Sequence, residues 1–413
     1  MLRLNDRKKI INSLIMAIMG MGILVFAANT EGFVSTFTTT SQRAGIMIAG
    51  PEIHLNTFTS LYILAAIPLI LSVLNIFGKI KKNADSALIT SIVCIIFAFL
   101  IWATKDKSLN LTGIFVSSVV RSTSICLAAL AGIYSERSGV TNIGIEGMML
   151  FGAFLSVVMT SITNNLFIGI LSGMLAGALL AWLHAILSIR YKVNQIISGT
   201  AIIIFALGLT SYLQRAVLNE YRFLNDPGPA IAAYQVPILW RIPFIGPILF
   251  SQSPIIYLMF FLTFLTHIIF KYTKWGLRVR SVGEHPKAAD TLGVNVLKLR
   301  YTSVLISGLI AGLAGAYIAI GSAGRFNEGM SAGKGFLGLA AMIFGNWNPL
   351  GAYLGSIVFG FFDSWQEKLA ILQIGIPVDL LGMAPYIATM VVLSGFIGRA
   401  RGPAAGGVPY EKE

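Results

Sequence analysis

Apolar runs of membrane-spanning length recur from one end of this sequence to the other. Residues 10–28, 61–77, 87–103, 114–134, 148–162, 166–189, 196–213, 255–270, 302–320, 350–362 and 380–397 are each almost wholly apolar. A helix needs about 20 such residues to cross a bilayer. The chain is 56% hydrophobic and 11% charged, against roughly a quarter charged in a soluble domain. The fold class this implies is an all-α integral membrane protein, a bundle of about 10–12 transmembrane spans. A shorter apolar stretch, 336–344, cannot cross alone, so 336–362 reads either as one re-entrant unit or as two short spans.

The formal charge of +13 would suggest nucleic acid in a soluble protein. Here it reads as the cytoplasmic bias of Lys and Arg, and no nucleic acid partner is expected. The basic lead Arg3, Arg7, Lys8 and Lys9 precedes an apolar run that exceeds a signal core of about 7–15 residues. It reads as an uncleaved first span. With the N-terminus inside, Lys79, Lys81, Lys82, Arg137, Arg190 and Lys192 fall in inner loops. So does the basic segment 271–300, and Arg399 and Arg401 lie in the tail. Both termini are therefore expected in the cytoplasm. The loop 219–253 falls outside, and its prolines at 227, 229, 237, 243 and 247 disfavour regular structure. The expected organisation is a three-span region over 1–111, a core over 112–398 and a cytoplasmic tail over 399–413. Cys94 and Cys126 lie in apolar runs with no disulfide or metal spacing. The pairs Gly173/Gly177, Gly308/Gly312 and Gly351/Gly355 have the small-xxx-small spacing that lets helices approach closely in lipid.

Two stretches interrupt the helical pattern: 139–147 (GVTNIGIEG) and 333–349 (GKGFLGLAAMIFGNWNP). Non-helical backbone at membrane depth survives only when buried in protein or lining a wet cavity. One interruption in each half of a bundle points to a transport pathway. The candidate pathway residues are Asn142, Gly144, Glu146, Gly147, Asn194, Gln195, Gly345, Asn346, Asn348 and Pro349. Glu146 is an intramembrane carboxylate, a functional candidate by default. Its alternative role is to accept hydrogen bonds from freed backbone amides, with Arg121 as a candidate ionic partner.

The basic inner loop is centred on 283–293 (GEHPKAADTLG). Pro286 suits a helix start and Gly293 a helix end. Between them lies a short helix with a small Ala288/Ala289 face, either an ordinary surface helix or a peg for a cytoplasmic partner. Candidate coupling residues are Gly283, Glu284, Pro286, Ala288, Ala289 and Gly293. No Gly-x-x-x-x-Gly-Lys-Ser/Thr segment occurs, so no nucleotide or other cofactor is expected on this chain. His54, His184, His267 and His285 form no metal or catalytic pattern, and no enzyme activity is expected.

Segments 135–153 (SERSGVTNIGIEGMMLFGA) and 275–290 (WGLRVRSVGEHPKAAD) resemble permeases of the branched-chain amino acid and simple-sugar class of ABC importers. Segments 335–352 (GFLGLAAMIFGNWNPLGA) and 194–200 (NQIISGT) are most similar to its nucleoside subgroup. The resemblance covers about 112–398. It implies half of a translocation pathway in a bacterial plasma membrane, completed by a second homologous permease. A cytoplasmic ATPase that consumes ATP would dock on 283–293, and a substrate-binding lipoprotein or periplasmic protein would deliver substrate outside. The alternatives are a ribose- or galactose-type permease, an ion-coupled secondary transporter and a non-transporting scaffold.

Overall fold

The structure is a computed structural model that describes residues 4–28, 30–43, 46–48, 50–80, 84–373, 377–383, 386 and 401–411. It is an almost entirely helical membrane protein. Among the described residues, nine helices are long and apolar enough to cross a membrane. By its contacts the chain separates into two compact units.

One unit holds the chain up to Phe115, with Arg241–Pro247 and Trp365–Gly382. Its helices are α1 (Leu4–Ala27), α2 (Thr57–Ile76) and α3 (Ala84–Ala103). Buried polar groups tie α1 to α2: the Ser72 hydroxyl donates to the Ser13 carbonyl at 2.7 Å, and Asn75 Nδ2 donates to the Ser13 hydroxyl at 2.8 Å. Between the helices lies a small sheet that the reading of the sequence did not anticipate. Strand β1 (Val34–Thr38) is its centre, antiparallel to β4 (Glu52–Asn56) and parallel to β5 (Ser108–Asn110). Strands β2 (Ser41–Arg43) and β3 (Ile46–Ile48) pair separately.

The second unit is the bundle that carries the interruptions. It begins within α4 (Leu111–Glu136) and continues with α5 (Ile145–Thr163), α6 (Leu166–Ala185) and α7 (Gln195–Leu213). The proline-rich segment after α7 holds short pieces: a five-residue helix α8 (Ile245–Leu249) and the two-residue strands β6 (Tyr234–Gln235) and β7 (Ser251–Gln252). Then come α9 (Pro254–Tyr272), α10 (Lys274–Glu284), α11 (Pro286–Thr291), α12 (Val296–Ala316), α13 (Lys334–Phe344) and α14 (Pro349–Leu372). A five-residue α15 (Val378–Gly382) belongs to the first unit. The expected run 380–397 lies largely outside the described residues.

Asparagines set several of these starts. The side chains of Asn165, Asn194 and Asn295 accept hydrogen bonds from the first-turn amides of α6, α7 and α12, which satisfies donors that a helix leaves unpaired. Helices α4, α5 and α12 are mostly buried, whereas α6, α7 and α9 are buried on one side only. The glycine pairs work as expected: a Cβ at Gly177, Gly308 or Gly312 would overlap the backbone of the facing helix, which joins α6 to α12. Gly351 and Gly355 face Gly345 and Ala341, so α14 folds back on α13.

The segment 336–362 is not two short spans. Helix α13 has 11 residues, about 16 Å at 1.5 Å per residue, roughly half the hydrocarbon thickness. Helix α14 has 24 residues, about 36 Å, with Asp363, Glu367 and Lys368 in its second half.

Candidate functional site

The first interruption is a loop folded into the bundle. Helix α4 ends at Glu136, the chain turns at Gly139 with φ +85°, and α5 begins only at Ile145. Ile145 lies beside Gly132, one turn before the end of α4. The non-helical backbone therefore runs back into the protein, and Ser138, Val140 and Asn142 on it are buried.

Several of its polar groups are bonded by the surrounding helices, as burial favours. The Val140 carbonyl accepts from the Ser135 hydroxyl at 2.7 Å. The Thr141 amide donates to Gln195 Oε1 at 2.7 Å, and the Thr141 carbonyl sits 3.1 Å from His184 Nε2. The other ring nitrogen of His184 is 3.0 Å from the Ser198 hydroxyl. Helices α6 and α7 thus clamp the loop through His184 and Gln195. Asn142 Nδ2 donates to the Ser307 hydroxyl of α12 at 3.2 Å.

Gly144 and Gly147 let α7 cross this loop. A Cβ at Gly147 would lie 2.9 Å from the Ile202 carbonyl oxygen, and one at Gly199 would lie 2.9 Å from the Gly144 nitrogen. Asn194 caps α7.

Glu146 joins the two interruptions. It is buried, and its Oε1 accepts from the Gly333 amide at 2.8 Å while Oε2 accepts from the Gly335 amide at 2.6 Å. These amides open the short helix α13, whose N-terminus attracts a carboxylate through free N–H groups and the helix dipole. A Cβ at Gly335 would lie 2.6 Å from that same Oε2. Arg121 is not the partner of Glu146: it pairs with Asp363 of α14 at 3.0 Å. The two backbone amides match both carboxylate oxygens.

The other end of α13 is fastened to the end of α4. The Arg137 guanidinium donates to the carbonyls of Trp347 and Asn346 at 3.2 and 3.1 Å, and Trp347 Nε1 donates to Glu136 at 2.7 Å. Burial, followed by the nearby Arg280, draws the pKa of Arg137 down, and Glu284 opposes this. Asn346 and Trp347 take positive φ, +52° and +54°. Gly345 fits against Ala352, Asn348 caps α14 at the Leu350 amide, and Pro349 is the first residue of α14.

The basic loop is more helical than its sequence suggested. Helix α10 precedes the expected peg and buries Gly276, Val279, Val282 and Gly283. Gly283 abuts the Arg137 carbonyl, where no Cβ fits. The side chain of His285 caps α11 at the Ala288 amide, Pro286 opens the helix, and Gly293 follows it with φ +78°. Ala288 and Ala289 do not share an exposed face, because neighbours on a helix point about 100° apart. Ala289 is packed with Val282, Val296 and Tyr410, whereas Ala288 is exposed and Leu292 is 84% exposed.

Residues 401–411 strap this region. The Ala405 amide donates to the Gly283 carbonyl at 2.9 Å, the Ala404 amide to Glu284 at 3.3 Å, and the Arg401 amide to Asn346 Oδ1 at 3.1 Å. Buried Arg300 donates to the Val408 carbonyl at 3.1 Å, and Lys192 pairs with Glu411 at 2.6 Å.

Of the residues singled out in the sequence, Asn142, Gly144, Glu146, Gly147 and Gln195 meet at one junction. Gly345, Asn346, Asn348 and Pro349 form the turn between α13 and α14. The clamp residues His184, Ser198 and Ser135 were missed. His184 carried a usable signal, a lone ionisable residue within an apolar run.

The two buried breaks are thus bound to each other through Glu146, and the loop after α9 that carries the capped helix α11 abuts them at Arg137. Residues 114–394 match the family described as branched-chain amino acid transport system / permease component. The chain belongs to this family. It is 42% identical over 312 residues to the guanosine ABC transporter permease NupQ of Bacillus subtilis, covering 72% of this chain and 95% of that protein. It is 40% identical over 313 residues to the nucleoside ABC transporter permease NupC of Lactococcus lactis, covering 72% and 96%. The putative glucose ABC transporter permease TsgC13 of Haloferax volcanii is 32% identical over 302 residues, covering 68% and 91%. No solved structure matches. The chain is thus a multi-pass permease component.

Proposed function

We propose that this permease imports nucleosides as one half of an ATP-driven transporter in a bacterial plasma membrane. The observation that carries the reading is identity of 42% and 40% to relatives named for guanosine and nucleoside transport, each covered over nearly its whole length. A simple-sugar substrate is the second reading, favoured by the 32% identity to the putative glucose permease.

In this reading a second homologous permease completes the pathway, and an extracytoplasmic binding protein loads it. A separate ATPase seats on α11. The basic loops argue that both termini face the cytoplasm. The strap supports this, because residues 401–411 touch the loop that would meet the ATPase. The exposed tip of α11, with Ala288 and Leu292, would enter a groove on the ATPase, and buried Ala289 would anchor the helix from beneath. Because Gly283 of α10 abuts Arg137, which in turn holds the α13–α14 turn, a push on the loop is delivered to both breaks. Glu146 then keeps α5 and α13 moving together.

Uptake of labelled guanosine, adenosine, ribose and glucose, in cells with and without this gene, tests the proposal. Nucleoside uptake should fall with the deletion and return on complementation. Loss confined to a sugar would overturn the nucleoside reading.

A further inference from the structure

Residues 401–411 touch each part that the coupling step would move, and these contacts all lie within the second unit. At the α13–α14 turn, the Arg401 amide bonds Asn346, and a Cβ at Gly402 would lie 3.1 Å from the Trp347 ring. At the end of α10, the amides of Ala404 and Ala405 bond Glu284 and the Gly283 carbonyl. At the first break, a Cβ at Gly407 would lie 3.6 Å from Thr141 Oγ1, and one at Gly139 would lie 3.3 Å from the Ala405 carbonyl oxygen. Glu411 reaches Lys192, just before α7. One short stretch of chain thus meets both breaks and the loop between α9 and α12.

Two side chains fix this stretch in place. The first is Tyr410, buried beneath α11. Helix α11 has six residues, about 9 Å, and ends on Gly293 at φ +78°. Beneath it, Ala289 rests on Val282, Val296 and Tyr410, with Val294 and Leu299 alongside, so the Tyr410 ring stands in an otherwise aliphatic set. So short a helix passes on a push only when what lies under it is close-packed and hardly compressible. Without the ring a hole remains that the surroundings refill only in part, and the push is absorbed there. The second is Arg300 of α12, which is 1% exposed. Its Nη1 donates to the Val408 carbonyl at 3.1 Å, and its guanidinium carbon lies 6.0 Å from the centre of the Tyr410 ring. Its Nε and Nη2 find no hydrogen-bond partner among the described residues. A Cβ at Gly139 of the first break would lie 2.9 Å from that Nη2. A buried cation so sparsely compensated stabilises a fold less than an apolar side chain of similar volume. What Arg300 does instead is hold the tail, the ring and the first break at one point.

We propose that residues 401–411 are a crosspiece of the coupling step, with Tyr410 and Arg300 as its positioning residues: they keep α11 rigid, so that a push from the ATPase reaches both breaks. The proposal rests on the ATP-driven reading above and deepens it. Docking belongs to the exposed tip of α11, with Ala288 and Leu292. Transmission belongs to the segment packed beneath that tip.

The test uses the whole importer in vesicles, with guanosine uptake and ATP hydrolysis measured on the same preparation. Tyr410→Ala leaves the tip of α11 untouched, so the ATPase should still co-purify. Uptake per ATP hydrolysed should fall about tenfold, and hydrogen exchange of the peptide 283–293 should rise by the same factor, equivalent to about 1.4 kcal/mol. Tyr410→Phe keeps the ring and should stay close to wild type. Arg300→Met should lower the same ratio while the melting temperature holds or rises, a combination that a merely structural residue would not give. An unchanged ratio in either Tyr410→Ala or Arg300→Met would overturn the proposal. So would loss of ATPase binding in Tyr410→Ala, which would make the tail part of the docking surface. Should Tyr410→Ala fail to assemble, Arg300→Met carries the test. Wild-type uptake that ignores ATP would sink the importer reading itself, a result distinct from wild-type coupling that the variants leave intact.

Discussion

Replacing Glu146 with alanine should release the start of α13 from α5. The side chain makes two charge-assisted bonds, to the amides of Gly333 and Gly335. Hydrogen bonds to charged groups contribute about 1.5–3 kcal/mol each, so the gross loss is about 3–6 kcal/mol. Relaxation and entering water recover part of it, and the two bonds share one anchored side chain. A net local loss of about 2 kcal/mol corresponds to roughly a thirty-fold increase in opening, at tenfold per 1.4 kcal/mol. Hydrogen exchange by mass spectrometry, on a peptide covering 333–344 in the purified importer, reads this directly. Glu146→Gln keeps one acceptor oxygen but aims an NH₂ group at an amide donor, so exchange should rank wild type, Gln, Ala from slowest to fastest. Equal protection of the α13 peptide in wild type and Glu146→Ala would refute the capping account.

Other outcomes follow from the same contacts. Gly177→Leu should sharply reduce folded yield by size-exclusion chromatography, since overpacking commonly costs about 1–3 kcal/mol and the glycine lies on the backbone of α12; normal yield would contradict the tight crossing. Leu292→Asp should leave membrane insertion intact but weaken ATPase co-purification about thirty-fold, the loss expected for a central anchor worth about 2 kcal/mol; full retention would place the contact elsewhere. Arg121→Asp should destabilise the permease in a thermal-shift assay, and adding Asp363→Arg should recover part of the loss, because the pair is half-buried at 3.0 Å; no recovery would remove the ion pair as the cause. A reporter fused beyond Glu413 should be active only in the cytoplasm, and one inserted within 227–237 only outside; the reverse pattern would overturn the orientation.

The spans were readable because continuous apolar length is a local property of sequence. The glycine pairs were readable for the same reason. Glu146 stood out as an intramembrane carboxylate, but its partners did not, because they are backbone amides 187 and 189 residues away. An amide leaves no mark in the sequence, so capping of freed backbone could be expected of Glu146 but not which amides, and Arg121, the candidate ionic partner, pairs with Asp363. Helix α10 was hidden by Gly276 and Gly283 within it and by its many cations. Those glycines serve close approach to α9 and to the Arg137 carbonyl. The Ala288/Ala289 face failed because two adjacent helical residues point in different directions. His184 and Gln195 acquire meaning only when α6 and α7 flank the loop at Thr141.

The claim that this permease works in an ATP-driven importer is tested most directly in vesicles that hold it with its partner subunits. Accumulation of labelled guanosine should require ATP inside and should persist when ion gradients are collapsed. Accumulation that follows an imposed ion gradient and ignores ATP would contradict the account.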